Sequence, residues 1–296
     1  GKSGAAGLSI MSTGEGASNR IAVAWLLTDM ALISAMSALV KIEGATYPAV
    51  QLVFIRSLIG LVTILPLALR YRREILGTRR LGRHLFRVGC NAMALTSNFI
   101  ALTALPLAFV TAVGFTRPFV VMIFAVLLLG ETVKAIRWIG TAVGFIGVLI
   151  MVAPGSVVMN AGLIALFASI LFGSLASVQI RALKDENTGV LMVFYSVGLS
   201  VVTALPAGLS WKPVASADWP TLLAIGILAQ IGQYCYLRAY QSAPANFLAP
   251  LSYLSLVFAT ATGYFIFDEI PQWSTMLGVA IILVSLHLTN RLERRL

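Results

Sequence analysis

The chain has 296 residues, of which 59% are hydrophobic and only 11% charged; its mean hydropathy is +0.92 and its net charge +10. A water-soluble domain carries about a quarter charged residues, so this composition excludes a soluble globular protein and points to a membrane protein. The positive balance does not indicate nucleic acid, because the basic residues sit in short loops between apolar runs, where membrane orientation accounts for them.

In chain order, residues 1–19 are rich in Gly and Ser and are expected to form a disordered tail. The apolar run from Ile21 to Val40 is too long for the hydrophobic part of a signal peptide (about 7–15 residues) and is read as a retained first span. Apolar runs of spanning length, separated by charges or turn residues, then give an all-α integral membrane protein with ten transmembrane helices. Their approximate limits are 20–41, 47–69, 84–104, 107–129, 134–153, 158–181, 188–208, 218–241, 245–267 and 272–291. Connections as short as Leu105-Pro106 and Ala243-Pro244-Ala245 imply tight helical hairpins.

The second half repeats the first at an offset of 138 residues. Ala104-Leu105-Pro106-Leu107-Ala108-Phe109 is echoed by Ser242-Ala243-Pro244-Ala245-Asn246-Phe247, Gly130-Glu131 by Asp268-Glu269, and Gly140 by Gly278. The organisation expected is a tail at 1–19, a first repeat at 20–154, a second at 158–291 and a short tail at 292–296. Five spans per copy is an odd number, so the second copy enters the bilayer from the opposite side. Two inverted five-helix repeats are the architecture of secondary transporters.

Seven arginines lie between Arg70 and Arg87. If that loop is cytoplasmic, sixteen Lys and Arg residues fall inside, against Lys41 and Lys212 outside. The positive-inside rule then puts both termini in the cytoplasm. The same loop is suited to contact anionic membrane lipids.

Three ionisable residues, Asp29, Arg56 and Arg117, fall well inside apolar spans. Each costs about 2.5–3.5 kcal/mol at that depth and is expected to face a cavity or a partner. One reading is a midplane cavity in which an arginine holds a carboxylate, phosphate or other anionic group. The other is an internal ion pair of Asp29 with Arg56 or Arg117 that locks helices together. Asp29 is also the natural proton-coupling carboxylate. Pro118 removes a backbone N–H and leaves the Gly114 carbonyl without its usual partner, so residues 114–118 are the candidate discontinuous segment. Pro250 breaks a later span near its start. Gln230, Gln233 and Tyr234 form a polar stripe on one helix, and Asn91 and Asn98 share a face of another. Both stripes, with Tyr253, are candidates to line a site for an amino-acid-sized ligand. Glu131 and Asp268-Glu269 are expected to cap the helix that follows each. Cys90 and Cys235 read as buried thiols, and neither a metal site nor a cofactor is expected. No HExxH, nucleophile elbow or phosphate-binding glycine loop is present, which argues against an enzyme and against direct ATP coupling.

Pro106, Arg117-Pro118, Leu128-Leu129-Gly130-Glu131, Trp138-x-Gly140 and Gly144-Phe145-Ile146-Gly147-Val148, with the later Pro244, Pro250, Phe267-Asp268-Glu269, Gly278 and Ile281-Ile282, resemble the EamA domain of the drug/metabolite transporter superfamily, present twice. The resemblance covers nearly the whole chain after residue 20. It implies a multi-pass protein of the bacterial inner membrane, monomeric or homodimeric, that moves a small-molecule substrate. An exporter of aromatic or neutral amino acids is the favoured expectation. A transporter of S-adenosylmethionine, riboflavin or a related metabolite, or an uncoupled facilitator, is the alternative. The copies differ where Ser255 replaces Arg117 and Asp268 replaces Gly130, so any contact built on Arg117 is asymmetric.

Overall fold

The computed structural model describes residues 3–151, 160–183, 185–242, 251 and 254–293, and all their regular structure is helical. The helices are α1 (Ser3–Glu43), α2 (Ala49–Arg70), α3 (Arg72–Leu76), α4 (Leu81–Ala104), α5 (Leu107–Gly114), α6 (Arg117–Leu129), α7 (Ala135–Met151), α8 (Ala161–Ala182), α9 (Thr188–Leu209), α10 (Trp219–Ser242), α11 (Leu254–Phe267) and α12 (Trp273–Glu293). Pro250 and Tyr253 lie outside the described residues.

Among the described residues, six helical spans are long and apolar enough to cross a membrane: Asn19–Glu43, Ala49–Arg70, Leu81–Ala104, Leu107–Leu129, Ala161–Ile180 and Gly189–Leu209. Shorter apolar helices occupy Ala135–Met151, Leu254–Phe267 and Trp273–Thr289. Helix α10 has 24 residues. The protein is thus an all-helical, multi-pass membrane protein. Helix α1 runs from Ser3 to Glu43 without a break. Extending an already nucleated helix costs little per residue, and no proline interrupts 3–19.

Chain punctuation follows local chemistry. Pro48 and Pro106, both extended, precede α2 and α5. The Asn187 side chain accepts the Gly189 N–H at 2.8 Å and caps α9. Gly130 closes α6 in the left-handed region at φ 65°, and Asp268 adopts φ 54° after α11. In both turns the following glutamate's N–H returns six residues, Glu131 to Ala125 and Glu269 to Gly263, at 3.3 and 3.0 Å. Both turns thus place a left-handed residue just past the helix end, a position normally taken by glycine.

The principal packing pairs join the two halves of the chain: α4 on α8, α1 on α10, α7 on α12 and α2 on α9. Around them α6 meets α8, α11 meets α1, α10 meets α2, α9 meets α4, and α5 meets α11. Phe99, Leu107, Phe109, Val113, Phe119, Leu163, Ile225 and Ile282 belong to the common buried core. The small-residue face of α7 is filled within the chain. Gly147 lies so close to α12 that an added Cβ would sit 2.9 Å from the Gly278 carbonyl oxygen. Nearby, Ser285 Oγ donates to the Gly140 carbonyl at 2.7 Å.

Candidate functional site

The fourth span is broken. Between α5 and α6 the Phe115 and Thr116 N–H groups bond to Ala112 and Val113 at 3.1 and 3.0 Å, tightening the chain into a three-residue turn. The break falls between Gly114 and Pro118, where Pro118 can donate no backbone hydrogen bond. An added Cβ at Gly114 would meet nothing within 4 Å, so open space borders the break. Arg117, three residues on, opens α6 and is an exposed residue.

Lys41, Tyr47, Leu107, Trp219 and Lys212 lie at one end of the bundle, which we call the Lys41 end; residues 70–87 form the arginine-rich end. From the Lys41 end, Arg117, Gly173 and Gln230 are ten, twelve and eleven residues along their spans. At 1.5 Å per residue that is about 15–18 Å, near the middle of a hydrocarbon core of about 30 Å. Asp29 lies fourteen residues from the end of α1, about 21 Å deep.

The arginine is held between halves. A Cβ on Gly173 of α8 would lie 2.8, 3.0 and 3.3 Å from Nη2, Cζ and Nε of Arg117, so the guanidinium lies across that glycine. Asp29 Oδ1 lies 3.2 Å from where a Gly232 Cβ would stand on α10, beside Ile33 Cδ1 at 3.0 Å. Among the described residues Asp29 pairs with neither Arg56 nor Arg117, and the locking ion pair is absent. Arg56 is half-buried, seven residues into α2.

The polar stripe of α10 divides. Gln230 Nε2 donates to Thr63 Oγ1 of α2 at 2.6 Å, so this side chain ties helices together. Tyr234 packs edge-on to Trp25 of α1 at 5.9 Å. Gln233 is exposed and Asn91 and Asn98 are half-buried, with no side-chain hydrogen bond among the described residues. Interhelical hydroxyl contacts also occur between Ser57 and Ser200 at 3.1 Å and between Ser34 and Thr262 at 2.7 Å. Cys90 and Cys235 are buried free thiols.

A connected polar network at the Lys41 end was not anticipated. Lys41 Nζ lies 2.8 Å from Glu269 Oε1 and donates to the Leu105 carbonyl at 2.6 Å. Glu269 Oε2 accepts the Leu107 N–H at 2.9 Å. Glu269 therefore caps α5 in the other half of the chain rather than the helix that follows it, which corrects the expectation for this residue. A cavity of about 150 Å³ adjoins it, bordered by Pro106, Phe109, Thr260, Gly263, Gln272 and Thr275; it is separate from the surroundings of Arg117. Alongside, Tyr47 Oη donates to Asp218 Oδ2 at 2.5 Å and accepts the Ala215 N–H at 3.1 Å. That donation to a carboxylate raises the Tyr47 pKa, so the hydroxyl stays protonated at neutral pH. Gln51 and the Lys212 backbone exchange two bonds of 2.9 and 3.0 Å. The one signal available in the sequence was positional: Tyr47 and Asp185, and Arg80 and Asp218, are each 138 residues apart.

Comparison with known proteins supplies the context for this geometry. The model of the EamA-like transporter family matches twice, at residues 20–153 and 160–291. The pseudopaline exporter of Pseudomonas aeruginosa is 32% identical over 271 residues, covering 88% of this chain and 93% of that protein. The S-adenosylmethionine uptake transporter of Rickettsia conorii is 29% identical over 88% of this chain and 89% of that one. The riboflavin transporter of Brucella anthropi is 30% identical over 88% and 97%. A solved crystal structure at 20% identity superposes with a TM-score of 0.62 over 95% of this chain and 98% of that chain, a likeness of fold.

Proposed function

Because this chain belongs to the EamA-like transporter family, we propose that it is a secondary carrier for small amphiphilic metabolites of amino-acid type, working by alternating access about a site at Arg117. That it is a small-molecule transporter and not an enzyme follows from its family and its named relatives. Within that class, export of aromatic or neutral amino acids is the reading advanced here.

The observation that carries it is Arg117, at mid-depth beside a broken helix and open space, with its guanidinium laid across Gly173. An arginine facing lipid at this depth is strongly disfavoured, and a helix break persists only where the freed backbone borders protein or water. A planar guanidinium with five donors matches a carboxylate.

The packing supports two inverted five-helix repeats at 20–154 and 158–291, ten spans in all. Exchanging the segments carries α1 onto α8, α2 onto α9, α4 onto α10, α5 and α6 onto α11, and α7 onto α12. Under that exchange α4–α8 becomes α10–α1, α6–α8 becomes α11–α1, and α2–α10 becomes α9–α4; each of these contacts exists. The arginine-rich end is then cytoplasmic, as are both termini, in the inner membrane of a bacterium.

A second reading, transport of S-adenosylmethionine or riboflavin, is favoured by the relatives named for those compounds. Counterflow in proteoliposomes with labelled tryptophan, threonine, S-adenosylmethionine and riboflavin separates the two. We expect saturable exchange of an amino acid, with Arg117→Ala raising KM about 10–100-fold, the loss of one charge-assisted contact. Exchange of riboflavin alone, unaffected by that substitution, would overturn the amino-acid assignment. An imposed pH gradient on the same vesicles distinguishes a coupled carrier from an uncoupled facilitator.

A further inference from the structure

We infer that Gly173 is a positioning residue for Arg117: its missing side chain leaves the seat on which the guanidinium lies. The inference rests on the reading of Arg117 as the substrate-binding residue. Three features support it.

First, the atoms nearest to a Cβ at Gly173 are Nη2, Cζ and Nε of Arg117, at 2.8, 3.0 and 3.3 Å. All three belong to the planar group, so the plane lies over the glycine rather than pointing at it. Glycines that serve helix packing look different. At Gly147 and Gly278 the close atoms include each other's carbonyl oxygens, at 2.9 and 2.5 Å, and at Gly198 they are the methyls of Val88.

Second, the α8 backbone makes no competing demand on the cation there. The Gly173 carbonyl already accepts Ser177 Oγ at 2.9 Å. A guanidinium presents weakly hydrated faces and a rim of N–H donors. Resting a face on the glycine turns the donor rim away from α8 and leaves it available to a bidentate anion.

Third, Asp29 of the first half also borders a glycine of the second half: its Oδ1 is 3.2 Å from a Gly232 Cβ, where Ile33 Cδ1 at 3.0 Å shares the space, whereas Arg117 alone fills the notch at Gly173.

The test is substitution of Gly173 by alanine, with Gly198→Ala as control for a packing glycine. The first readout needs no transported substrate: the rate at which phenylglyoxal, an arginine reagent, modifies Arg117, followed by peptide mass. The methyl lifts the guanidinium from its seat, so we expect modification of Arg117 to accelerate several-fold in Gly173→Ala, with Arg56 unchanged and Gly198→Ala without effect. The second readout is a double-mutant cycle with Arg117→Lys, measured on whichever compound of the counterflow panel moves fastest. A compact ammonium does not need the seat, so the KM penalty of Arg117→Lys should shrink at least threefold in the Gly173→Ala background. If Gly173→Ala does not fold, adding Arg117→Ala should restore folding, because the clash is with that side chain.

Unchanged modification of Arg117, an equal change in Gly198→Ala, additivity in the cycle, or failure of Arg117→Ala to rescue folding would each overturn the assignment. Absence of flux for every compound, with labelling as expected, would indict the functional reading and leave the seat intact.

Discussion

The two ends of the bundle are fastened differently. At the Lys41 end, contacts across the halves are short and sheltered: Lys41 to Glu269 at 2.8 Å, with side chains 15% and 16% exposed, and Tyr47 to Asp218 at 2.5 Å. At the arginine-rich end, Arg80 to Asp185 measures 3.9 Å with side chains 43% and 71% exposed, and His84 to Glu186 measures 3.8 Å. One short bond does cross there, from Arg87 Nη2 to the Leu191 carbonyl at 2.5 Å. The pairs Tyr47–Asp218 and Asp185–Arg80 occupy corresponding positions, since residues 47 and 185, like 80 and 218, differ by 138. A tight hydrogen bond at the Lys41 end is thus matched by a loose ion pair at the arginine-rich end.

The sharpest way to break this comparison is Glu269→Ala. It removes the partner of Lys41 and the acceptor that caps α5 at Leu107 in one step. A sheltered charge left without its partner costs about 3–5 kcal/mol, so thermal melting in detergent should show the largest loss of any single change at either end. Asp185→Ala, the matching removal at the other end, should cost under about 1 kcal/mol and should vanish in high salt. Equal losses would mean the two ends are held alike.

A smaller effect is expected from the corresponding pair. Tyr47→Phe deletes a bond to a charged acceptor and strands the Ala215 N–H, for a loss of about 1.5–3 kcal/mol. Arg80→Ala should lose less than about 1 kcal/mol. In flux assays Tyr47→Phe should change the ratio of outward to inward rates, whereas Arg80→Ala should leave that ratio near its wild-type value.

What the sequence made legible is what depends on local chemistry. Apolar runs locate the spans, Pro118 locates the break in the fourth, and the 138-residue offset places Gly130 and Asp268 in like turns. What it hid depends on side chains meeting across the seam. Asp29 seemed to call for an arginine, yet it lies against Gly232, a residue with no side chain to advertise the contact. Gln230, a candidate ligand contact, also bonds Thr63 on another helix. Glu269 looked like a local cap and serves a helix 162 positions away in the chain.

The smallest predicted effect sharpens the comparison at the level of backbone. The turn at the arginine-rich end places glycine at φ 65°, and the turn at the Lys41 end places aspartate at φ 54°. A Cβ in the left-handed region costs about 1 kcal/mol, somewhat less for Asp, whose short polar side chain tolerates that region. Gly130→Ala should therefore lower stability by about 1 kcal/mol even though a Cβ there meets nothing within 4 Å, because the penalty is conformational. Asp268→Gly should relieve strain in the folded state while loosening the unfolded chain, and the two nearly cancel. If Asp268→Gly instead destabilises strongly, the aspartate carries a contact of its own, and the Lys41 end is fastened by three acidic residues rather than by Asp218 and Glu269. Melting curves of the two variants side by side decide between a turn that merely tolerates aspartate and one that uses it.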